Sequence, residues 1–143
     1  VPPNVTRPCA FVFVRADDRV LVSEMGNGAD LFFYRPPGGG IEFGETSEAA
    51  ARREMNEELG IDVRRLALLG VQEDLFTLRG QPYHEIDFIY ETWLTAAALV
   101  ALDGAAIVED DDDVETARVV SLADLRAGLY TPLYPEGVLD LLR

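Results

Sequence analysis

The sequence predicts an α/β fold of the mixed (α+β) kind, in which a mixed β-sheet is flanked by helices. Three observations lead there: strand-like runs at the start of the chain, one strongly signalled helix in the middle, and further strands with helix signals after it. At 143 residues, 48% hydrophobic and 27% charged, the chain suits one compact domain over residues 1–143.

Residues 9–14 and 19–23 are rich in β-branched and aromatic side chains, and Asp17-Asp18 between them predicts a hairpin. Residues 31–34 form a third short strand, after a loop containing Gly26, Asn27, Gly28 and Asp30. The run Arg35-Pro36-Pro37-Gly38-Gly39-Gly40 is expected to break regular structure. Thr46 or Ser47 then caps a helix over residues 47–59, with Glu48 in the favourable first turn and Gly60 as terminator. Residues 66–71 and 83–94 read as strands, with Gly80 marking the turn between them. The acidic run 109–113 reads as a loop, and residues 117–120 as a last short strand. Ser121 caps a short helix over 122–127, and a terminal one covers 137–142.

The formal net charge is −14. Such a surface repels phosphate backbones and anionic membranes, and no basic stripe could follow a nucleic acid. The charge has two readings: it serves solubility, or it requires cations to meet an anionic substrate. No apolar run approaches the ~20 residues that cross a bilayer. Val1-Pro2-Pro3-Asn4 carries neither the basic nor the apolar region of a secretory signal, so a cytoplasmic protein is expected. The single cysteine, Cys9, excludes an internal disulfide and a thiolate cluster, and in its apolar strand it reads as an inert core residue.

Chemistry concentrates on the central helix. At about 100° per residue, Glu54, Glu57 and Glu58 stand at i, i+3 and i+4 and share one face. Like charges so spaced repel by roughly a few tenths of a kcal/mol per pair in water. Such a face needs open solvent or a cation, and hard oxygen-seeking ions such as Mg²⁺ suit three carboxylates better than zinc does. Ala51, Met55 and Leu59 form an apolar face that can pack on a sheet, and Arg53 can pair with Glu57 four residues on. On helix geometry alone, a solvated acidic face explains the same residues.

The flanking residues decide between these readings. Gly39 is followed after five residues by Glu45, and after seven more by Arg53-Glu54-Met55, Asn56, Glu57-Glu58, Leu59 and Gly60-Ile61. This pattern resembles a complete Nudix box, with every fixed letter and both aliphatic positions filled. If each fixed letter occurs at about 7%, a chance match arises on the order of 10⁻⁸ per start position. The box covers 23 of the 143 residues.

The resemblance to the Nudix hydrolase family implies an α/β/α sandwich with a catalytic loop–helix–loop. It implies substitution by water at a phosphorus of a nucleoside diphosphate linked to another group. It further implies Glu57 and Glu58 as principal ligands of Mg²⁺, for which Mn²⁺ can substitute, with Glu54 a third ligand or the residue that activates water. Arg53 would orient Glu57, and Gly39 would offer its carbonyl to the metal. Residues 38–40 would let the backbone approach closely. Glu45 and Gly60 would shape the loop and end the helix.

The family's base can also lie outside the box. Glu85, after His84 on a strand expected to border the cleft, is the leading candidate, followed by Glu91 and the acidic residues 109–115. A solvated carboxylate is the favoured reading of Glu91 and the acidic residues 109–115, whereas for Glu85 the two readings stand level. His84 could contact a phosphate or base, or be a half-buried hydrogen-bonded histidine. Tyr34 is one of several aromatics that could stack on a base or simply pack. Arg35 could reach a phosphate, or close a surface ion pair.

The box names a reaction and not a leaving group. The family's NADH signature after the box and its coenzyme A signature before it are absent, and Pro82-Tyr83 lies farther from Ile61 than the ADP-ribose or dinucleoside polyphosphate markers would. A small nucleotide-like molecule, by default a nucleoside tri- or diphosphate in the manner of MutT-like enzymes, is the expected substrate; the acidic balance disfavours mRNA decapping. Two alternatives stay open: an isopentenyl diphosphate isomerase-like enzyme, for which Cys9 is a poor proton donor, and a catalytically silent nucleotide-binding module, which would typically lose box glutamates. Many relatives form dimers, so a homodimer is a further option.

Overall fold

The computed structural model describes residues 4–26, 32–78, 80–107 and 114–143. The loop expected at residues 27–30, Leu31 and the acidic run 109–113 lie outside the described residues. The chain runs β1 (Thr6–Ala16), β2 (Arg19–Gly26), β3 (Phe32–Arg35), β4 (Gly38–Gly40), α1 (Ser47–Leu59), β5 (Leu66–Leu78) and β6 (Gln81–Trp93). It continues through α2 (Ala96–Val100), β7 (Ala106–Ile107), β8 (Val114–Ser121) and α3 (Leu122–Arg126), and closes on a 3-10 turn at Val138–Leu141.

The strands join in one mixed sheet ordered β5-β6-β1-β2-β8-β7, with β4 paired to β1 and β3 to β2. Among the described residues only β1 and β6 run parallel, as a crossover through α1 requires. β1 is the organising strand because alternate side chains are buried on both of its faces. Ala10, Val12, Val14 and Ala16 share one core with Ala50, Ala51 and Met55 of α1 and Leu99 of α2. Cys9, Phe11 and Phe13 share the other with Leu122 and Leu125 of α3 and Val138 of the 3-10 turn. Helices therefore cover both faces, and the α/β/α sandwich follows from this double burial.

One expectation is corrected. The run of glycines does not break regular structure: β4 pairs antiparallel with β1, placing Gly38 opposite Phe11, Gly39 opposite Ala10 and Gly40 opposite Cys9. The absence of side chains makes this approach possible. Gly38 has φ of +149°, and a Cβ there would lie 2.1 Å from the Ala10 carbonyl oxygen. β5 and β6 are longer than their patterns suggested, and α2 and β7 had no clear local signal.

Gly38→Ala is expected to cost at least about 2 kcal/mol, because strain and a backbone clash combine. Gly44→Ala, at φ +86° with open space around it, should cost about 1 kcal/mol from strain alone. Urea unfolding of the two variants checks this; equal losses would show that close docking of β4 on β1 is unimportant.

Candidate active site

Local chemistry fixes α1 at both ends. Thr46 is the N-cap, its Oγ1 accepting from the Ala49 N–H at 3.1 Å, and Gly60 ends the helix in the left-handed conformation at φ 67°. Ser47 Oγ and the Tyr90 hydroxyl, 2.6 Å apart, tie the first turn to β6. With Ala51 and Met55 buried against the sheet, the acidic side of α1 turns toward the loop before it.

Arg53 organises that side. Its Nε and one terminal nitrogen grip Glu45 at 2.8 and 2.9 Å, and the same terminal nitrogen donates to the Gly40 carbonyl at 3.1 Å. The other terminal nitrogen donates to Glu54 at 2.9 Å and to Glu57 at 3.2 Å. The expected pairing with Glu57 is therefore present, but the bidentate grip is on Glu45. That bond, with the Glu42 N–H as a second donor, holds the Glu45 carboxyl down at about 2. Glu45 in turn pushes the Arg53 guanidinium further into its charged form.

The other box residues gather around this hub. A Cβ on Gly39 would stand 2.8 Å from a Glu54 carboxylate oxygen, so the glycine keeps the β4 backbone open to that side chain. Glu58 is 7% exposed, whereas the Glu57 side chain is 59% exposed. Arg53 sits between the Glu54 and Glu57 carboxylates and relieves part of their repulsion.

Residues outside the box are distributed differently. Glu85 is buried beside Arg7 at 3.8 Å, and the parallel register aligns it with Arg7 and Asp87 with Cys9. Cys9 belongs to the core on the face away from α1, so Glu85 and Asp87 point to that face too. Burial, then the nearby Glu85 charge, pushes the Asp87 carboxyl up to about 8. Burial likewise raises the Cys9 thiol. Glu91 is taken up in a 3.0 Å ion pair with Arg15. Tyr34 packs edge-on against Tyr130 and donates its hydroxyl to Glu24 at 3.1 Å, which places it in the core. Arg35 lies over the Phe11 ring and 3.7 Å from the buried Glu115. His84 shares a 3.2 Å hydrogen bond with Thr6 and lies 3.8 Å from Glu73. Sequence reasoning passed over Asp87 and Asp74, both buried; acidic residues inside strands were the available signal.

A loop folded back on an acidic helix, seated on a mixed sheet between helical layers, defines a class. The chain belongs to the Nudix hydrolase family: the family model described as the NUDIX domain matches residues 5–138. A MutT NUDIX hydrolase from Burkholderia pseudomallei superposes with a TM-score of 0.71 at 25% identity, covering 96% of this chain and 97% of that one. The E. coli ORF135 protein superposes at 0.57 with 17% identity over 95% of this chain and 85% of that one, a likeness of fold. In sequence, the chain is similar to an NAD-capped RNA hydrolase, NudC, of Vibrio atlanticus (strain LGP32), 37% identical over 65 residues. That match takes in 46% of this chain, and the chain spans only 24% of the NudC protein.

The Glu45–Arg53 bond carries a pH signature. The Glu45 carboxyl lies lower in the folded chain, about 2, than its ordinary 4.5, so its stabilisation is complete above that ordinary value. It is lost as pH falls through the folded value. Melting temperature followed from pH 5 to about 2 should therefore fall less steeply in Glu45→Gln than in the unaltered protein. Parallel curves would show that the grip on Glu45 does not stabilise the fold.

Proposed function

We propose that the chain is a Mg²⁺-dependent hydrolase that cleaves the diphosphate linkage of a nucleoside diphosphate derivative. The observation that carries this reading is the meeting of Glu54 and Glu57 on one guanidinium, with Gly39 beside the Glu54 carboxylate and Glu58 one residue beyond Glu57 on the same helix. The donors are carboxylate oxygens and a backbone carbonyl, the set a hard divalent cation takes, and Gly39 keeps the backbone open beside Glu54. Glu57 and Glu58 would hold the ion, with Glu54 and the Gly39 carbonyl adjacent; Mn²⁺ offers the same preference for oxygen. Bound there, such an ion neutralises diphosphate charge and lowers the pKa of coordinated water.

The chain's own residues supply position and a base. Arg53 orients Glu54 and Glu57 from a fixed fork, so little reorganisation remains for the reaction itself. A Glu54 carboxylate oxygen takes the proton as water oxygen bonds to phosphorus, and the phosphorus–oxygen bond to the leaving phosphate breaks. Glu54 is favoured over Glu85 because Glu85 points to the opposite face of the sheet beside Arg7.

The substrate is read as a small nucleotide, by default a nucleoside tri- or diphosphate. NAD-capped RNA, the substrate in the NudC protein's name, fits less well: the net charge of −14 repels RNA and the NADH signature is absent. Residues 1–143 are read as one cytoplasmic domain, alone or as a homodimer.

The test is turnover with Mg²⁺ of a panel of nucleoside di- and triphosphates, ADP-ribose, NADH, dinucleoside polyphosphates and sugar nucleotides, with products separated by chromatography. Cleavage within the diphosphate of at least one compound is expected, with a loss of ~10²-fold or more in Glu57→Gln. Tight binding without turnover would replace this reading with a silent module, and proton exchange at carbon without diphosphate cleavage would favour the isomerase.

A further inference from the structure

On the face of the sheet away from α1, three potential ligand atoms converge. Cys9 Sγ, a Glu85 oxygen and an Asp87 oxygen all lie within 4.8 Å of one another, and the three residues are buried. Among the described residues no other trio of such donors does so, the glutamates of α1 included. The parallel pairing of β1 with β6 creates the group by setting Cys9 against Asp87, residues 78 positions apart in sequence. A second observation points to a missing partner. Asp87 is 0% exposed, and no N–H or hydroxyl of a described residue reaches either of its carboxylate oxygens; Glu85, another acid of the trio, is its hydrogen-bonding neighbour. A carboxylate buried beside other acids is costly to ionise unless it keeps its proton or meets a cation, and a cation that replaces the proton satisfies all three donors at once.

We propose that Cys9, Glu85 and Asp87 form a second cation site, distinct from the carboxylates of α1, that takes a borderline divalent ion of the Zn²⁺ class. One sulfur and two carboxylate oxygens are too soft a set for Mg²⁺ and match the ligands zinc accepts. At zinc–ligand distances of about 2.0–2.3 Å, tetrahedral ligand atoms stand about 3.3–3.8 Å apart. Closing from the present spacing therefore asks for side-chain movements of about 1 Å at most. With an ion bound in place of the Cys9 and Asp87 protons, the three ligands carry three negative charges, of which the Arg7 cation 3.8 Å from Glu85 offsets one. Such an ion would cross-link the parallel pair β1–β6.

Cobalt is the probe, because a Co²⁺–thiolate bond absorbs in the near ultraviolet and a Co²⁺–carboxylate bond does not. The 143-residue chain, freed of metal by chelator and held in excess Mg²⁺ to occupy α1, is titrated with Co²⁺. A thiolate charge-transfer band saturating at one ion per chain and displaced by Zn²⁺ is expected. In Cys9→Ser the band should vanish, while circular dichroism and Mg²⁺-dependent turnover remain unchanged. Asp87→Asn, where folded, should move the titration midpoint at least 10-fold to higher Co²⁺. Cobalt bound without the band, or a band that persists in Cys9→Ser, overturns the proposal and leaves the trio a proton-sharing acid cluster. Turnover is read separately, so loss of the band and failure of the hydrolase reading remain distinguishable.

Discussion

The fork of Arg53 is the contact on which the site depends. One planar guanidinium binds the loop through Glu45, the edge strand through the Gly40 carbonyl, and the helix through Glu54 and Glu57. Without it, two like-charged side chains on α1 would have no common counter-ion, and the loop would lose its anchor to the helix. A lysine in its place would supply the charge but not the planar set of donors.

The position of the fork depends on β1. Its side chains are buried on both faces, so β1 sets the height of the sheet between the two helical layers. The three glycines of β4 then rest on β1, with Pro37 and Ile41 bonding it on either side, which carries Gly39 to Glu54 and Gly40 to Arg53. Packing, loop geometry and the placement of the acidic groups follow from one strand's double burial and one cation's reach.

Much of this was legible in the residues. Thr46 and Gly60 bracket α1 as capping preferences require, and the hairpin of β1 and β2 follows from strand-like runs either side of Asp17-Asp18. β4 was not legible, because a glycine run carries no strand propensity and its pairing is decided by what the neighbour's backbone allows. The same holds for the trio of Cys9, Glu85 and Asp87. Locally these read as an inert thiol and a solvated carboxylate; only the parallel register between distant strands brings them together. Glu85, expected beside the cleft, faces away from α1 for the same reason. Tyr34 and Glu91 resolved toward packing and an ion pair, outcomes set by tertiary neighbours.

Gly40 has a consequence beyond its place in β4. Arg53 holds its carbonyl, and the tip of Arg7 fills the side where a methyl group would go, 2.7 Å from that position. The obstacle is the far end of a flexible side chain, so alanine there would displace Arg7 and leave the backbone where it is. The injury would surface on the neighbouring strand, at Glu85, whose ion pair with Arg7 would be disturbed. One missing methyl group thus keeps the two acidic districts of the molecule in electrical balance.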